Sequence, residues 1–185
     1  MGSKFISIYA ADLAEVGKHV GSGDADLVRW LSQEQTEPMS EDEREALDAL
    51  VSGDYPRFEG DDPEYEQADD LIRAFEFLCE HACVVRDTIE MYDHEEETPL
   101  LWEFLWSEVD GDNPFELPYS EYGTPAVAWH TPARVMDYRA RFAQWRAGGE
   151  VNEGFIGLHE LDGLIAILER AVEGGHGAFV FYEGG

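Results

Sequence analysis

The chain has 185 residues, with 41 Asp and Glu against 12 Lys and Arg, and a formal charge of −29. That length fits one domain with a sizeable core, and 44% hydrophobic with 12% aromatic residues argue against global disorder despite the charge. The charge opposes direct contact with nucleic acid, whose counterions must be displaced by Lys and Arg, and with anionic membrane surfaces; no apolar run, that at residues 178–182 included, approaches the ~20 residues of a membrane span.

Residues 4–10, rich in β-branched and aromatic side chains, read as a short strand. Residues 12–20 read as a helix stopped by Gly21, and Asp24 is placed to cap a second helix carrying Leu27, Val28, Trp30 and Leu31. Ser40 and Glu43 match a capping box ahead of Ala46, Leu47, Leu50 and Val51. Residues 53–63 are a loop rich in Gly, Pro and Asp. Leu71, Phe75, Leu78, Ala82, Val85, Ile89 and Tyr92 then follow a four-three spacing that predicts one long core helix within residues 64–92. Thr98 and Pro99 open a short, nearly all-apolar helix at residues 100–106. Residues 107–130 are mostly loop, with a short strand at 126–129. Thr131 and Pro132 open a helix with the stripe Val135, Tyr138, Phe142 and Trp145, closed at Gly148. A last amphipathic helix carries Leu161, Leu164, Ile165, Leu168 and Val172, and residues 177–183 finish as a strand. The expected fold is α+β, a helix-dominated single domain over residues 1–185 with a small sheet pairing the N- and C-terminal strands.

No metal or other cofactor is expected. Cys79 and Cys83 share a side of a helix while His81 points away from both, and two cysteines fall short of a four-ligand zinc set. Two cysteines also make no disulfide framework, and secretion through a signal peptide is not expected, so a cytoplasmic, reduced setting is expected. Asp93 and residues 94–97 lack the alternating oxygens and glycine of a calcium loop. Ser120, His130 and His159 lack any nucleophile-elbow context, so no catalytic residues are assigned. Arg134, Arg139, Arg141 and Arg146 form the only basic cluster. They flank the apolar stripe of their helix, where they suit ion pairs with neighbouring elements or, alternatively, an anion site.

Between residues 87 and 131 stand 12 acids and no Lys or Arg, interleaved with Trp102, Phe104, Trp106, Phe115, Tyr119 and Tyr122. Such aromatics are either core or anchors ringed by charge, the pattern of a hot spot for a basic partner. The candidate binding residues are Trp102, Trp106, Tyr119, Glu121 and Tyr122 with Glu95, Glu96 and Glu97. Two origins of the acidity stay open: a host whose proteins are acidic throughout, and a surface selected for a cationic partner.

The segment Ile6-Ser-Ile-Tyr-Ala10, followed by Asp12-Leu13 and Gly21-Ser-Gly-Asp24, resembles the start of a group of uncharacterised acidic bacterial proteins, and the closing Gly177-Ala-Phe-Val-Phe-Tyr182 resembles their ending. The plan of a strand at each terminus with helices between is similar to that of YfbM-like bacterial proteins of unknown function. The resemblance implies a bacterial, cytoplasmic α+β protein and carries over no catalytic residues. The functional expectation is a non-catalytic acidic protein that captures a basic protein partner, as an immunity protein or inhibitor does, nucleic-acid mimicry being a special case. The alternative is a small-molecule enzyme or sensor with a pocket near residues 134–146 and loop 113–130.

Overall fold

The computed structural model describes residues 3–34, 38–57, 64–65, 67–92, 99–105, 114–117, 119–120, 126–148 and 156–183. Among them the chain runs β1 (Ser3–Ala11), α1 (Leu13–Gly17), α2 (Ala25–Glu34), α3 (Glu41–Ser52), β2 (Glu64–Tyr65), α4 (Ala68–Ala82), β3 (Val85–Tyr92), α5 (Pro99–Leu105), β4 (Tyr119–Ser120), β5 (Ala126–His130), α6 (Pro132–Gly148), α7 (Leu158–Gly174) and β6 (Gly177–Glu183). The main sheet has the order β3-β1-β6-β5 and every pairing in it is antiparallel. The two terminal strands therefore pair directly, with Ile8 opposite Val180. Strands β2 and β4 make a separate two-residue parallel ladder.

The period-two alternation of the strands sorts the helices into two layers. Ile6, Ile8 and Ala10 of β1, with Ala178, Val180 and Tyr182 of β6, face the helices α5, α6 and α7. Tyr9, Ala11, Phe179 and Phe181 face the opposite way, onto α1, α2, α3 and α4. Strands β1 and β6 are thus buried on both faces, which is why residues 177–182 read as an unbroken small and apolar run. At the edge, β3 buries Ile89 but exposes Arg86, Thr88 and Glu90. A charged edge of this kind discourages further strand pairing.

Local signals account for most helix ends. Asp24 Oδ1 accepts from the backbone N–H groups of Asp26 and Leu27. The Ser40 and Glu43 capping box is formed in both directions. Helix α1 is shorter than the expected span of 12–20, because the chain must leave it to close another helix. After α1 the backbone N–H of Gly21 donates to the Leu50 carbonyl at 2.9 Å and that of Gly23 to Val51 at 2.8 Å. These bonds satisfy carbonyls at the end of α3. Gly53, in the left-handed conformation there, sits so close to Gly21 that an added Cβ would stand 3.2 Å from its Cα.

The long helix expected within residues 64–92 is corrected. Helix α4 stops at Ala82, Cys83 is extended, the Val84 N–H donates to the Ala10 carbonyl at 2.9 Å, and the rest is β3. Val85 and Ile89 are four residues apart, a separation that keeps one face under either the helical or the strand period. The stripe alone could not tell the two apart, whereas the β-branched content of residues 84–89 favours the strand.

Candidate functional site

The structure brings together few of the residues named from the sequence. Trp102 is half-buried on α5, its ring edge-to-face with Tyr182 at 5.8 Å, and packs against the core under the sheet. Its neighbour Phe104 is fully buried, stacked on His130 at 4.8 Å. Phe115 is half-buried against Phe75 and Phe179. Tyr119 pairs by its backbone with Glu64 in the β2–β4 ladder. Glu95, Glu96, Glu97, Trp106, Glu121 and Tyr122 lie outside the described residues.

The arginines of α6 tie it to its neighbours. Arg139 pairs with Glu169 and Arg146 with Asp162, both on α7. Arg141 reaches across to Glu103 on α5, and its guanidinium also stands 5.4 Å from the centre of the Tyr138 ring. The hydrogen bonds from Arg141 hold the Glu103 carboxyl below its ordinary range. Internal ion pairing, one of the two readings of this cluster, is what the packing displays for Arg139, Arg141 and Arg146. A shallow hollow of about 360 Å³ lies beside Arg141, Gln144, Trp145 and Gly148. His130 is fully buried and its Nε2 donates to the Phe104 carbonyl at 2.7 Å; His159 is exposed on α7. Neither belongs to a hydrolytic arrangement among the described residues.

An acidic concave surface lies along α3. Two hollows of about 440 and 230 Å³ adjoin there and share Glu45, Ala49 and Asp54. Small apolar groups form the floor: Val28 in the larger, Ala46 and Leu71 in the smaller. Carboxylates form the rim. Glu45 and Asp48 line the first hollow beside Arg44, while Asp42, Glu45, Asp54 and Asp70 line the second. Local structure explains their placement. Asp42 and Asp70 stand in the first turns of α3 and α4, where acids suit the helix dipole, and Asp54 follows the left-handed Gly53. The Asp70 carboxyl is pushed above its usual range, first by burial and then by the charges of Asp42, Glu43 and Asp69. Negative charge is therefore crowded here, and a cation set between these groups would relieve it.

None of the groove carboxylates was singled out from the sequence. The signal was present but diffuse: acids three apart on the exposed side of a capped helix, followed by a Gly-Asp turn. Among the described residues no group of three or more His, Cys, Asp or Glu is arranged to hold a metal ion, and no helix is long and apolar enough to cross a membrane.

Fold and groove together define an acidic, three-layer α+β protein with a carboxylate-lined surface cleft. The chain belongs to the family described as a domain of unknown function, DUF7691, whose model matches residues 2–182. No curated protein and no solved structure matches it.

Proposed function

We propose that this protein is a non-catalytic binding protein that captures a basic protein partner, as an immunity protein or inhibitor does. Mimicry of nucleic acid is the special case in which that partner is itself a phosphate-binding protein. The observation that carries the reading is the crowding of Asp42, Glu45, Asp54 and Asp70 around one hollow, with the Asp70 carboxyl raised first by burial and then by the charges of Asp42, Glu43 and Asp69. A lysine or arginine inserted there would meet charge of the opposite sign over an apolar floor, and the net charge of −29 would speed its approach. Glu95, Glu96, Glu97, Glu121 and Tyr122 with Trp102, Trp106 and Tyr119 belong to the same reading, as further contacts for the same partner. A bacterial, cytoplasmic setting goes with it, supported by the resemblance of the termini to uncharacterised acidic bacterial proteins and by two free cysteines.

The test is affinity capture from the source organism at low and high salt, followed by calorimetry with the recovered protein. A basic partner whose affinity falls as salt rises, and falls again in the variant Asp42→Asn/Glu45→Gln/Asp70→Asn, is the expected result. Recovery of no basic protein at low salt would overturn the proposal. A second reading, a small-molecule site beside α6, is favoured by the hollow at Arg141, Gln144, Trp145 and Gly148. The engagement of Arg141 by Glu103 counts against it.

A further inference from the structure

Three rings from distant parts of the chain meet on the surface beside α2 and α4. His81, in the last turn of α4, stands 5.2 Å from His19 edge-to-face and 4.8 Å from Trp30. His19 is half-buried in the turn after α1, His81 is exposed, and Trp30 on α2 leaves 45% of its surface to solvent. Single exposed aromatics are ordinary, but a contiguous exposed set marks contact surfaces. The carboxylates of Glu15 and Asp24 act on His19, opposed by Lys18, which is itself paired with Glu15; Arg29, next to Trp30, is paired with Asp26.

We propose that Trp30, His81 and His19 form a shelf that receives an arginine side chain of the basic partner, its guanidinium plane laid against the indole and imidazole faces. The inference rests on the reading of the chain as a binder of basic proteins. Charge and shape choose the occupant. A guanidinium is planar, weakly hydrated and stacks on aromatic faces, whereas a lysine ammonium is a compact, strongly hydrated point charge. Nucleobases would also stack, but their phosphates would meet Glu15 and Asp24. The shelf is at the same time a proton sensor. A neutral His19 imidazole accepts a cation on its face, and a protonated one repels it. Burial and the adjacent His81 lower the affinity of His19 for protons, while Asp24 and Glu15 raise it and Lys18 opposes them. Net depression means that His19 charges only below the ordinary histidine value of 6.5, so release of the arginine is expected as the pH falls below 6.5.

The experiment uses the full chain with nonaarginine and nonalysine peptides in low salt, followed by calorimetry and by NMR of the histidine ring protons. The wild type is expected to prefer the arginine peptide and to shift the His19 and His81 resonances on binding. Trp30→Ala, at an exposed position, is expected to weaken the arginine peptide about fivefold and to erase the preference over lysine. His19→Gln is expected to lose less affinity than the wild type when the pH is lowered from 7.5 to 5.5. Unchanged arginine affinity in Trp30→Ala, with binding abolished by Asp42→Asn/Glu45→Gln/Asp70→Asn, would overturn the shelf and leave the basic-partner reading standing. Absence of binding to either peptide by the wild type would overturn both. Concentration-dependent dimerisation abolished by Trp30→Ala would also overturn the shelf, since a second copy would then be its occupant.

Discussion

Arg141 on α6 donates two hydrogen bonds, each 2.6 Å long, to the two carboxylate oxygens of Glu103 on α5. Tyr138 completes the clasp, donating from its hydroxyl to the Glu103 backbone carbonyl at 3.1 Å. Helix α5 has only seven residues and cannot hold its own shape in water. It is kept in place by the burial of Leu101, Phe104 and Leu105 and by this clasp. Arg141→Lys keeps the charge and loses the fork. With the partners 39% and 50% exposed, solvent screens the pair, and the expected loss is about 0.5–1 kcal/mol. Because Glu103 is depressed in the folded chain, the pair's contribution is present above the ordinary carboxyl value of 4.5 and disappears as the pH falls below it. Urea denaturation at pH 7 and pH 3 checks this; an equal gap between wild type and variant at both pH values would exclude an ionic origin.

Two glycines should respond to alanine in opposite directions. At Gly177, the first residue of β6, an added Cβ would run into the Trp129 ring and stand 2.5 Å from the His130 carbonyl oxygen. A backbone atom cannot step aside, so the junction of β5 and β6 must open, at a cost of about 2 kcal/mol. Thermal unfolding should move down by roughly 4–8 °C for a chain of this size. Gly163, inside α7, has nothing within 4 Å of the corresponding position. Gly163→Ala should add about 0.5–1 kcal/mol through helix propensity and a less flexible unfolded chain.

Legibility in the sequence followed the range of the interaction. Features closed within a turn or two were readable: Asp24 and Ser40 as caps, Pro132 at the start of α6, Gly148 at its end, and both terminal strands. What needed a partner far along the chain was not. The span 85–92 looked helical because its apolar positions fit two periods; its β-branched content leans to a strand, and pairing with the edge of β1 decides it. Trp102 could be drawn as an anchor for a partner because nothing local says that Tyr182, 80 positions later, lies against it. The groove on α3 depends on Asp70 arriving from α4, and the surface ring cluster on residues 19, 30 and 81 converging from three elements. No window of the sequence contains either.

The two thiols should be distinguishable by alkylation. Cys79 is completely buried on α4 and its thiol is pushed well up by burial, with Glu76 and Cys83 adding to the effect. Cys83 is half-buried at the helix end, raised by burial, with its Sγ 3.2 Å from the Glu80 carbonyl. The reactive species is the thiolate, so iodoacetamide at pH 7.5 should label Cys83 slowly and Cys79 only on unfolding. Peptide mapping by mass spectrometry with and without urea reads this directly; rapid native labelling of Cys79 would contradict the packing of α4 against the sheet.

Asp70 offers the sharpest link between stability and the acidic groove. Its carboxyl is raised in the folded chain, so holding it ionised at neutral pH opposes folding, and that opposition vanishes as the pH falls below the ordinary value of 3.8. Asp70→Asn should therefore raise the unfolding temperature at pH 7 and leave it unchanged near pH 3. Added salt should shrink the gain without removing it. The repulsion from Asp42, Glu43 and Asp69 is screened, whereas the larger cause, burial, is not. If the same variant also weakens a basic partner, then Asp70 is a charge retained against the stability of the fold because a cation completes it, the trade between activity and stability seen where a site is built for a ligand. A variant that is less stable than the wild type at pH 7 would mean that the crowding is compensated within the chain, and the groove would lose its claim to attract a cation.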